Sequence, residues 1–162
     1  MEIERKFLVK ELPAHLEDYP SHLIEQAYLC TSPVVRIRRQ DEDYYLTYKG
    51  AGLMAREEYN LPLSGEAYRH LLPKADGTVI TKRRFVIPLP APWEGLSIEL
   101  DLFSGVWKGL MIAEVEFPSQ KEAEAFLPPE WFGTDVTFDG RYHNSWLSQH
   151  SPGDFDAPST SL

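Results

Sequence analysis

Apolar and charged residues alternate along the first strand-like stretch of the chain, residues 2–9. Successive side chains of a β-strand point to opposite faces, so Glu2, Glu4 and Lys6 share one face and the apolar residues share the other. The alternation therefore predicts a strand with one apolar face and one charged face.

The same alternation returns in four later segments, and in each of them two like charges stand two positions apart. The pairs are Arg36 and Arg38, Lys82 and Arg84, Glu99 and Asp101, and Glu114 and Glu116. Like charges on one strand face repel each other. Their recurrence predicts that ions of opposite sign lie between these faces in the folded protein.

Strand patterns account for most of the chain, and helix signals are few. Eight strands are predicted, at residues 2–9, 23–30, 34–40, 44–49, 55–63, 78–87, 96–103 and 110–117. A short helix or turn is predicted at residues 10–18, and Ser64 and Ser119 are predicted N-caps of helices that end at Leu72 and Leu127. A last helix is predicted at residues 141–149, followed by a disordered polar tail at residues 150–162.

These elements favour a mainly β (α+β) fold in which an eight-stranded antiparallel sheet closes into a barrel, because closure removes the unpaired edges. The charged faces would then line the inside. A polar inside and an apolar outside are also typical of membrane porins, but the strands lack a lipid-facing aromatic girdle. We therefore expect the helices to cover the apolar outer face.

The composition fits one domain of 162 residues. The formal net charge of -9 argues against nucleic-acid binding, which requires a basic surface. The chain has no apolar run of about 20 residues and no signal-peptide pattern, so we expect no membrane association and a cytoplasmic location. Cys30 is the only cysteine, which excludes an intrachain disulfide.

The charged faces together carry both signs in similar amounts. The basic candidates are Lys6, Arg36, Arg38, Lys49, Lys82 and Arg84, and the acidic ones are Glu2, Glu4, Glu58, Glu99, Asp101, Glu114 and Glu116. A polyphosphate could bind the basic groups only if divalent cations neutralised the acidic ones. The pattern therefore predicts a site for a small phosphate compound and a metal.

The charged strand segments resemble those of a known family. Glu2-Ile3-Glu4-Arg5-Lys6 is similar to the ExExK signature of the CYTH superfamily, also called triphosphate tunnel metalloenzymes. The resemblance extends over about residues 1–147. It includes Arg36-Ile37-Arg38, Lys49, Arg56 to Tyr59, Lys82 with Arg84, Glu99 to Asp101, Glu114 to Phe117, Val136-Thr137, Arg141-Tyr142 and Asn144. The similarity is greatest to small bacterial members that resemble inorganic triphosphatases.

The resemblance implies an eight-stranded tunnel domain at residues 1–149 with a C-terminal plug helix. It implies a metal site for Mg²⁺ or Mn²⁺ formed by Glu2, Glu4, Glu58, Asp101, Glu114 and Glu116. It implies triphosphate binding by Lys6, Arg36, Arg38, Lys49, Lys82, Arg84 and Arg141, with Glu4, Lys6 and Arg38 as catalytic residues. Residues 135–144 would close one tunnel end, and Arg141 would reach inward. Asn60 stands where the family often has an acidic residue.

The expected function is metal-dependent hydrolysis of inorganic tripolyphosphate to pyrophosphate and phosphate. Thiamine triphosphatase and adenylate cyclase remain alternatives within the family, and Trp93, Trp107 and Trp131 could provide a seat for an organic group. A non-catalytic polyphosphate-binding module is a further alternative. Tyr28 is an uncharged candidate for the tunnel lining. The expected partner is a small-molecule triphosphate, and the chain could be a monomer or a homodimer.

Overall fold

The computed structural model describes residues 1–156, and it contains ten strands in one antiparallel sheet. The strands are β1 (Glu2–Val9), β2 (Ser21–Thr31), β3 (Val34–Gln40), β4 (Asp43–Lys49), β5 (Ala55–Arg56), β6 (Glu58–Leu63), β7 (Asp76–Pro88), β8 (Ser97–Phe103), β9 (Met111–Glu116) and β10 (Phe132–Asp135). The order across the sheet is β10-β1-β9-β8-β7-β2-β3-β4-β6, and β5 pairs with β1.

The barrel closes because two short consecutive strands, β5 and β6, pair with different strands on either side of them. β6 pairs with β4, and β5, separated from β6 by Glu57, pairs with Glu2 and Ile3 of β1. The predicted mainly β, antiparallel and closed fold is therefore confirmed. The predicted number of eight strands differs from the ten observed, because the predicted strand at residues 55–63 is interrupted at Glu57 and β10 is additional.

Strand β10 lies outside the sequence prediction because it is short and shows no alternation of apolar and polar residues. It follows Pro128-Pro129 and pairs with the second half of β1, at Phe7 and Val9. β5 and β10 thus share one edge of β1 along different stretches. Together they leave β1 paired on both sides, as a closed wall requires.

Two helices cover the apolar outside of the barrel, as the sequence predicts. Helix α1 (Gly65–Leu71) begins after Ser64, whose Oγ accepts a hydrogen bond from the Ala67 N–H at 3.0 Å. Its Tyr68 packs against Ala27 and Ile37. Helix α2 (Gln120–Ala125) and the chain after it cover the outer faces of β1, β8 and β9, in a core of Phe7, Leu100, Val115, Ala123, Phe126 and Phe132.

The remaining predicted helices are shorter than expected. In residues 10–18 only Leu16–Asp18 is helical, as one 3₁₀ turn. The predicted last helix is divided into a 3₁₀ turn, Gly140–Tyr142, and helix α3 (Asn144–Gln149). None of the helices in residues 1–156 is long and apolar enough to cross a membrane.

The predicted disordered tail begins at residue 150, but part of it is ordered. Helix α4 spans Gly153–Asp156, and Phe155 packs edge-on against Trp107 with the ring centroids 5.7 Å apart. Residues 157–162 lie outside the described residues, so for them disorder stays a prediction.

Helix α3 fills one end of the barrel with apolar side chains. The inward positions of the strands are charged over most of their length, but at this end they become Leu8, Ile80, Phe103 and Ile112. Leu147 of α3 packs among them, and Trp107 Nε1 donates a hydrogen bond to its carbonyl oxygen at 2.9 Å. The burial of these groups fixes α3 at the barrel end and leaves a polar cavity beyond it.

Candidate functional site

The inside of the barrel contains a cavity of about 380 Å³. Such a volume suits a small ligand. Its acidic lining residues are Glu2, Glu4, Glu58, Glu99, Glu114 and Glu116, and its basic ones are Lys6, Arg36, Arg38, Lys49, Arg56, Lys82 and Arg84. The structure thus brings eleven of the thirteen site residues predicted from the sequence to one cavity. The two that it does not bring there are Asp101 and Arg141.

Strand β3 provides a basic wall whose charges are not neutralised within the described part of the chain. Arg36 Nη2 donates to Thr47 Oγ1 at 3.0 Å, and Arg36 Nε is buried without a hydrogen-bond partner. Arg38 Nε donates to Gln26 Oε1 at 2.8 Å. Burial, with the nearby charges of Arg36 and Arg84, lowers the pKa of Arg38 to about 10. Neither arginine pairs with a carboxylate of residues 1–156, so both present positive charge to an anion.

Carboxylates form the facing wall. β9 lies four strands from β3 in either direction around the barrel, when β5 and β6 are counted as one position. Glu116 of β9 stands opposite Glu4 of β1 in the register of these two strands. Burial, with the charges of Glu114 and Glu2, raises the pKa of Glu4 to about 8. Burial and two neighbouring carboxylates also raise the pKa of Glu116. This wall is therefore costly to ionise unless a cation binds to it.

A lysine links two further carboxylates beside this wall. Lys49 Nζ lies 2.9 Å from Glu2 Oε1 and 3.3 Å from Glu58 Oε2. Burial raises the pKa of Glu2 to about 7. Burial acts in the same direction on Glu58, but hydrogen bonds from Glu2, Asn60 and Lys49 outweigh it and lower the pKa of Glu58 to about 2. Glu58 is therefore ionised at neutral pH, where Glu2 is divided between its protonated and ionised forms.

Asn60 lines the cavity and is hydrogen-bonded to Glu58. It stands at the position where the family named above often has an acidic residue. Its Nδ2 donates to Glu58 Oε1 at 3.0 Å, and its Oδ1 accepts a hydrogen bond from Thr47 Oγ1. Asn60 therefore orients Glu58 and connects it to the residue that also holds Arg36.

Asp101 departs from its predicted place in the metal site. It is 0% exposed and does not line the cavity. Its Oδ1 and Oδ2 accept from Arg84 Nε and Nη2 at 2.8 and 2.9 Å, and Lys82 Nζ lies 2.7 Å from Oδ2. These two cations outweigh the effect of burial and lower the pKa of Asp101. Both carboxylate oxygens are used inside the barrel wall, so Asp101 is the counter-ion of Lys82 and Arg84.

Arg141 also departs from its predicted place. It does not reach into the tunnel, because Asp139, two residues earlier, holds its guanidinium at 2.6 Å near the surface, where the Arg141 side chain is 48% exposed. His143, Asn144 and Ser145 line the cavity in its place. Burial, with the charges of Lys6 and Arg56, lowers the pKa of His143 to about 3, so its imidazole is neutral.

Arg56 and His143 line the cavity but are not among the site residues predicted from the sequence. Arg56 could have been found, because it stands two positions before Glu58 and so shares its face. His143 has no such signal, because it precedes α3 rather than lying on a strand. Tyr28 lines the cavity, as the sequence suggests.

The tryptophans considered as a seat for an organic group lie elsewhere. Trp93 and Trp131 pack against the outer core, and Trp107 packs in the core beside α3. None of the three lines the cavity formed by the described residues.

No group of three or more His, Cys, Asp or Glu side chains within residues 1–156 is arranged as a ready metal site. The donor set nevertheless fits a hard cation. Mg²⁺ is commonly bound through one or two carboxylates, several waters and phosphate oxygens. Glu4 and Glu116, which form no ion pair within the described residues, offer such carboxylate oxygens.

Comparisons with known proteins agree with this architecture. A sequence model of the CYTH domain matches residues 1–143. The chain is 40% identical over 155 residues to an inorganic triphosphatase of Nitrosomonas europaea, covering 93% of this chain and 99% of that protein. It is 38% identical over 151 residues to an inorganic triphosphatase of Acetivibrio thermocellus, covering 90% and 92%. A crystal structure of an inorganic triphosphatase superposes with a TM-score of 0.70 at 37% identity, covering 94% of this chain and 97% of that one. The chain belongs to the CYTH domain family.

Proposed function

We propose that this chain hydrolyses inorganic tripolyphosphate to pyrophosphate and phosphate in the presence of Mg²⁺ or Mn²⁺. The observation that carries the proposal is that, within residues 1–156, two arginines without carboxylate partners lie across one small cavity from two carboxylates without cationic partners. Arg36 and Arg38 would bind an anion, and Glu4 and Glu116 would bind a cation. Relatives that span nearly the whole chain are named inorganic triphosphatases, which supports the same substrate.

The residues divide into two groups by charge. Lys6, Arg36, Arg38, Lys49, Lys82 and Arg84 would bind phosphate oxygens, and Glu2, Glu4, Glu58, Glu114 and Glu116 would hold the metal. Arginine forks suit phosphate because they donate two parallel hydrogen bonds, and lysines act as compact charges. Asp101 and Arg141 are not part of this proposal, because the first is used within the wall and the second lies outside the cavity.

The reaction requires charge stabilisation on the transferred phosphoryl group and a proton acceptor for water. Lys6 and Arg38 face the cavity and would stabilise the developing negative charge without rearranging. A divalent metal, when bound, would neutralise phosphate oxygens and position the attacking water. A Glu4 carboxylate oxygen would accept the proton of that water, because a cation bound to the acidic wall would keep Glu4 ionised.

The cavity favours an inorganic substrate over thiamine triphosphate or a nucleotide. A thiazolium, pyrimidine or purine ring needs an apolar or aromatic surface. The three candidate tryptophans pack elsewhere, and apart from Tyr28, Tyr45 and Val34 the cavity lining formed by the described residues is polar or charged. A binding module without catalysis is less consistent with the site, because buried carboxylates of raised pKa destabilise a protein that does not use them.

The test is phosphate release from tripolyphosphate, ATP and thiamine triphosphate, measured side by side with Mg²⁺, with Mn²⁺ and with a chelator. We expect metal-dependent release that is fastest from tripolyphosphate. Glu4→Gln should lower kcat at least a hundredfold, and Glu94→Gln, at an exposed turn, should not change it. Release of cyclic AMP and pyrophosphate from ATP would instead identify a cyclase, and release that persists in chelator would contradict the metal.

A further inference from the structure

Three cations at the α3 end of the cavity each donate to a neutral oxygen atom, although Lys82 Nζ also lies 2.7 Å from Asp101 Oδ2 and Lys6 Nζ lies 3.6 Å from Glu114 Oε1. Arg38 donates to the Gln26 amide, Lys6 Nζ donates to the Tyr142 carbonyl oxygen at 3.1 Å, and Lys82 Nζ donates to Asn144 Oδ1 at 2.9 Å. A neutral acceptor fixes the direction of a cation without cancelling its charge. A carboxylate in the same place would orient the cation but remove its attraction for phosphate.

Gln26 is the centre of this arrangement. It is 0% exposed, and its amide is bonded on both sides. Oε1 accepts from Arg38 Nε at 2.8 Å, and Nε2 donates to Tyr28 Oη at 3.2 Å and to Asn144 Oδ1 at 3.0 Å. The amide cannot be flipped without placing two donors against each other at Arg38, so the network determines its orientation.

Asn144 extends the network to a second cation. It is the first residue of α3, and its Oδ1 accepts from both Gln26 Nε2 and Lys82 Nζ. Lys82 also pairs with Asp101, which leaves one of its three N–H groups available. Asn144 Oδ1 therefore connects Lys82 to Gln26, the residue that orients Arg38.

We propose that Gln26 and Asn144 are positioning residues that hold Arg38 and Lys82 at the spacing required by the triphosphate. The inference rests on the proposed function and deepens it. Gln26 does not line the cavity, and Asn144 borders it at the α3 end. Helix α3 thus acts as part of the phosphate-binding site, and not only as a packed closure of the barrel end.

The test is a double-mutant cycle on the full chain with Asn144→Ala, Gln26→Ala and the double variant. The dissociation constant of tripolyphosphate is measured by calorimetry in the presence of a chelator, and KM and kcat are measured with Mg²⁺. Each single variant should raise the dissociation constant and KM about tenfold and change kcat less than threefold. The double variant should raise the dissociation constant and KM much less than a hundredfold. Both substitutions break the same chain of hydrogen bonds from Arg38 through Gln26 and Asn144 to Lys82, which we call the relay.

Gln26→Glu provides a nearly isosteric second variant. It should weaken binding more than Gln26→Ala, because a carboxylate beside Arg38 cancels its charge and repels Asn144 Oδ1. Gln149→Ala, an exposed change on the same helix, is the matched control and should leave binding unchanged.

Three results would overturn the relay. In the first, the effects of the two single variants on the dissociation constant multiply in the double variant. In the second, the variants bind tripolyphosphate as the wild type does, and in the third they lose thermal stability while KM is unchanged. Tripolyphosphate binding by the wild-type protein without turnover would overturn the proposed function and leave the relay to be judged by the dissociation constants. If the wild-type protein binds tripolyphosphate only when Mg²⁺ is present, the KM values decide on Gln26 and Asn144. Absence of both binding and turnover in the presence of Mg²⁺ would overturn both proposals.

Discussion

Replacing Asp101 by Asn removes the carboxylate that Lys82 and Arg84 share inside the barrel wall. All three side chains are almost completely inaccessible, and the contacts measure 2.7 to 2.9 Å. The substitution preserves the shape but leaves two buried cations facing a neutral amide. Removing one partner of a buried ion pair costs about 3–5 kcal/mol, because the remaining charge is desolvated and uncompensated.

The expected loss is large enough to measure by thermal unfolding of the metal-free protein at pH 7.5. For a domain of this size each kcal/mol corresponds to about 2–4 °C, so the melting temperature should fall by about 6–20 °C. Glu99→Gln is the matched control. Glu99 pairs with the same Arg84 at 3.0 Å, but its side chain is 37% exposed. Its replacement should therefore cost no more than about 1 kcal/mol.

The same variant separates a counter-ion from a metal ligand. If Asp101 is a counter-ion, Asp101→Asn destabilises the metal-free protein, and added tripolyphosphate restores stability by neutralising Lys82 and Arg84. If Asp101 is a ligand, the metal-free protein keeps its stability and loses metal affinity. A melting temperature within 2 °C of the wild type, together with lost metal binding, would refute the placement of Asp101 within the wall.

Three further predictions concern the cavity and its rim. The raised pKa of Glu4, about 8 against its usual 4.5, means that the folded metal-free protein binds this proton more tightly than the unfolded chain. Its contribution to stability is therefore present at low pH and lost as the pH rises through about 8, with a slope of up to about 1.4 kcal/mol per pH unit. Glu4→Gln should flatten this slope in urea unfolding, and an unchanged slope would contradict it. Arg36→Met should raise KM for tripolyphosphate about tenfold or more while stabilising the metal-free protein, because it removes a buried unpartnered donor. A higher KM with lower stability would instead indicate a structural role. Arg141→Ala should change KM less than twofold in steady-state kinetics, since Asp139 holds Arg141 outside the cavity. A tenfold increase would favour the inward position inferred from sequence.

The sequence predicts which face of each strand a residue occupies, and this is why most of the cavity could be found without a structure. Period-two alternation places Arg36 and Arg38 on one face whatever the register of their strand. It does not give the register itself. In the structure Arg84 stands directly opposite Asp101, and this pairing turns a predicted metal ligand into the partner of an arginine.

A short-range bond explains why the Arg141 side chain lies outside the cavity. Asp139 lies two residues before Arg141, accepts from its backbone N–H at 3.1 Å and also binds its guanidinium. The similarity of Arg141-Tyr142 to a family motif does not show that Asp139 binds the guanidinium of Arg141. β10 was missed for a different reason, because its pairing with β1 depends on tertiary proximity and leaves no alternation in four residues.

Some of the cavity cations pair with carboxylates and others do not, and this difference explains how one barrel can be stable and also bind an anion. Lys49, Lys82 and Arg84 lie close to carboxylates, and their mutual neutralisation allows them to be buried in the folded wall. Arg36 and Arg38 have only uncharged acceptors in the described part of the chain, and they keep their positive charge at a cost in desolvation. That cost is offset when a polyphosphate binds, in the same way that a cation would offset the cost of the acidic wall. The least stabilised charges of the free protein are therefore those that should contribute most to binding.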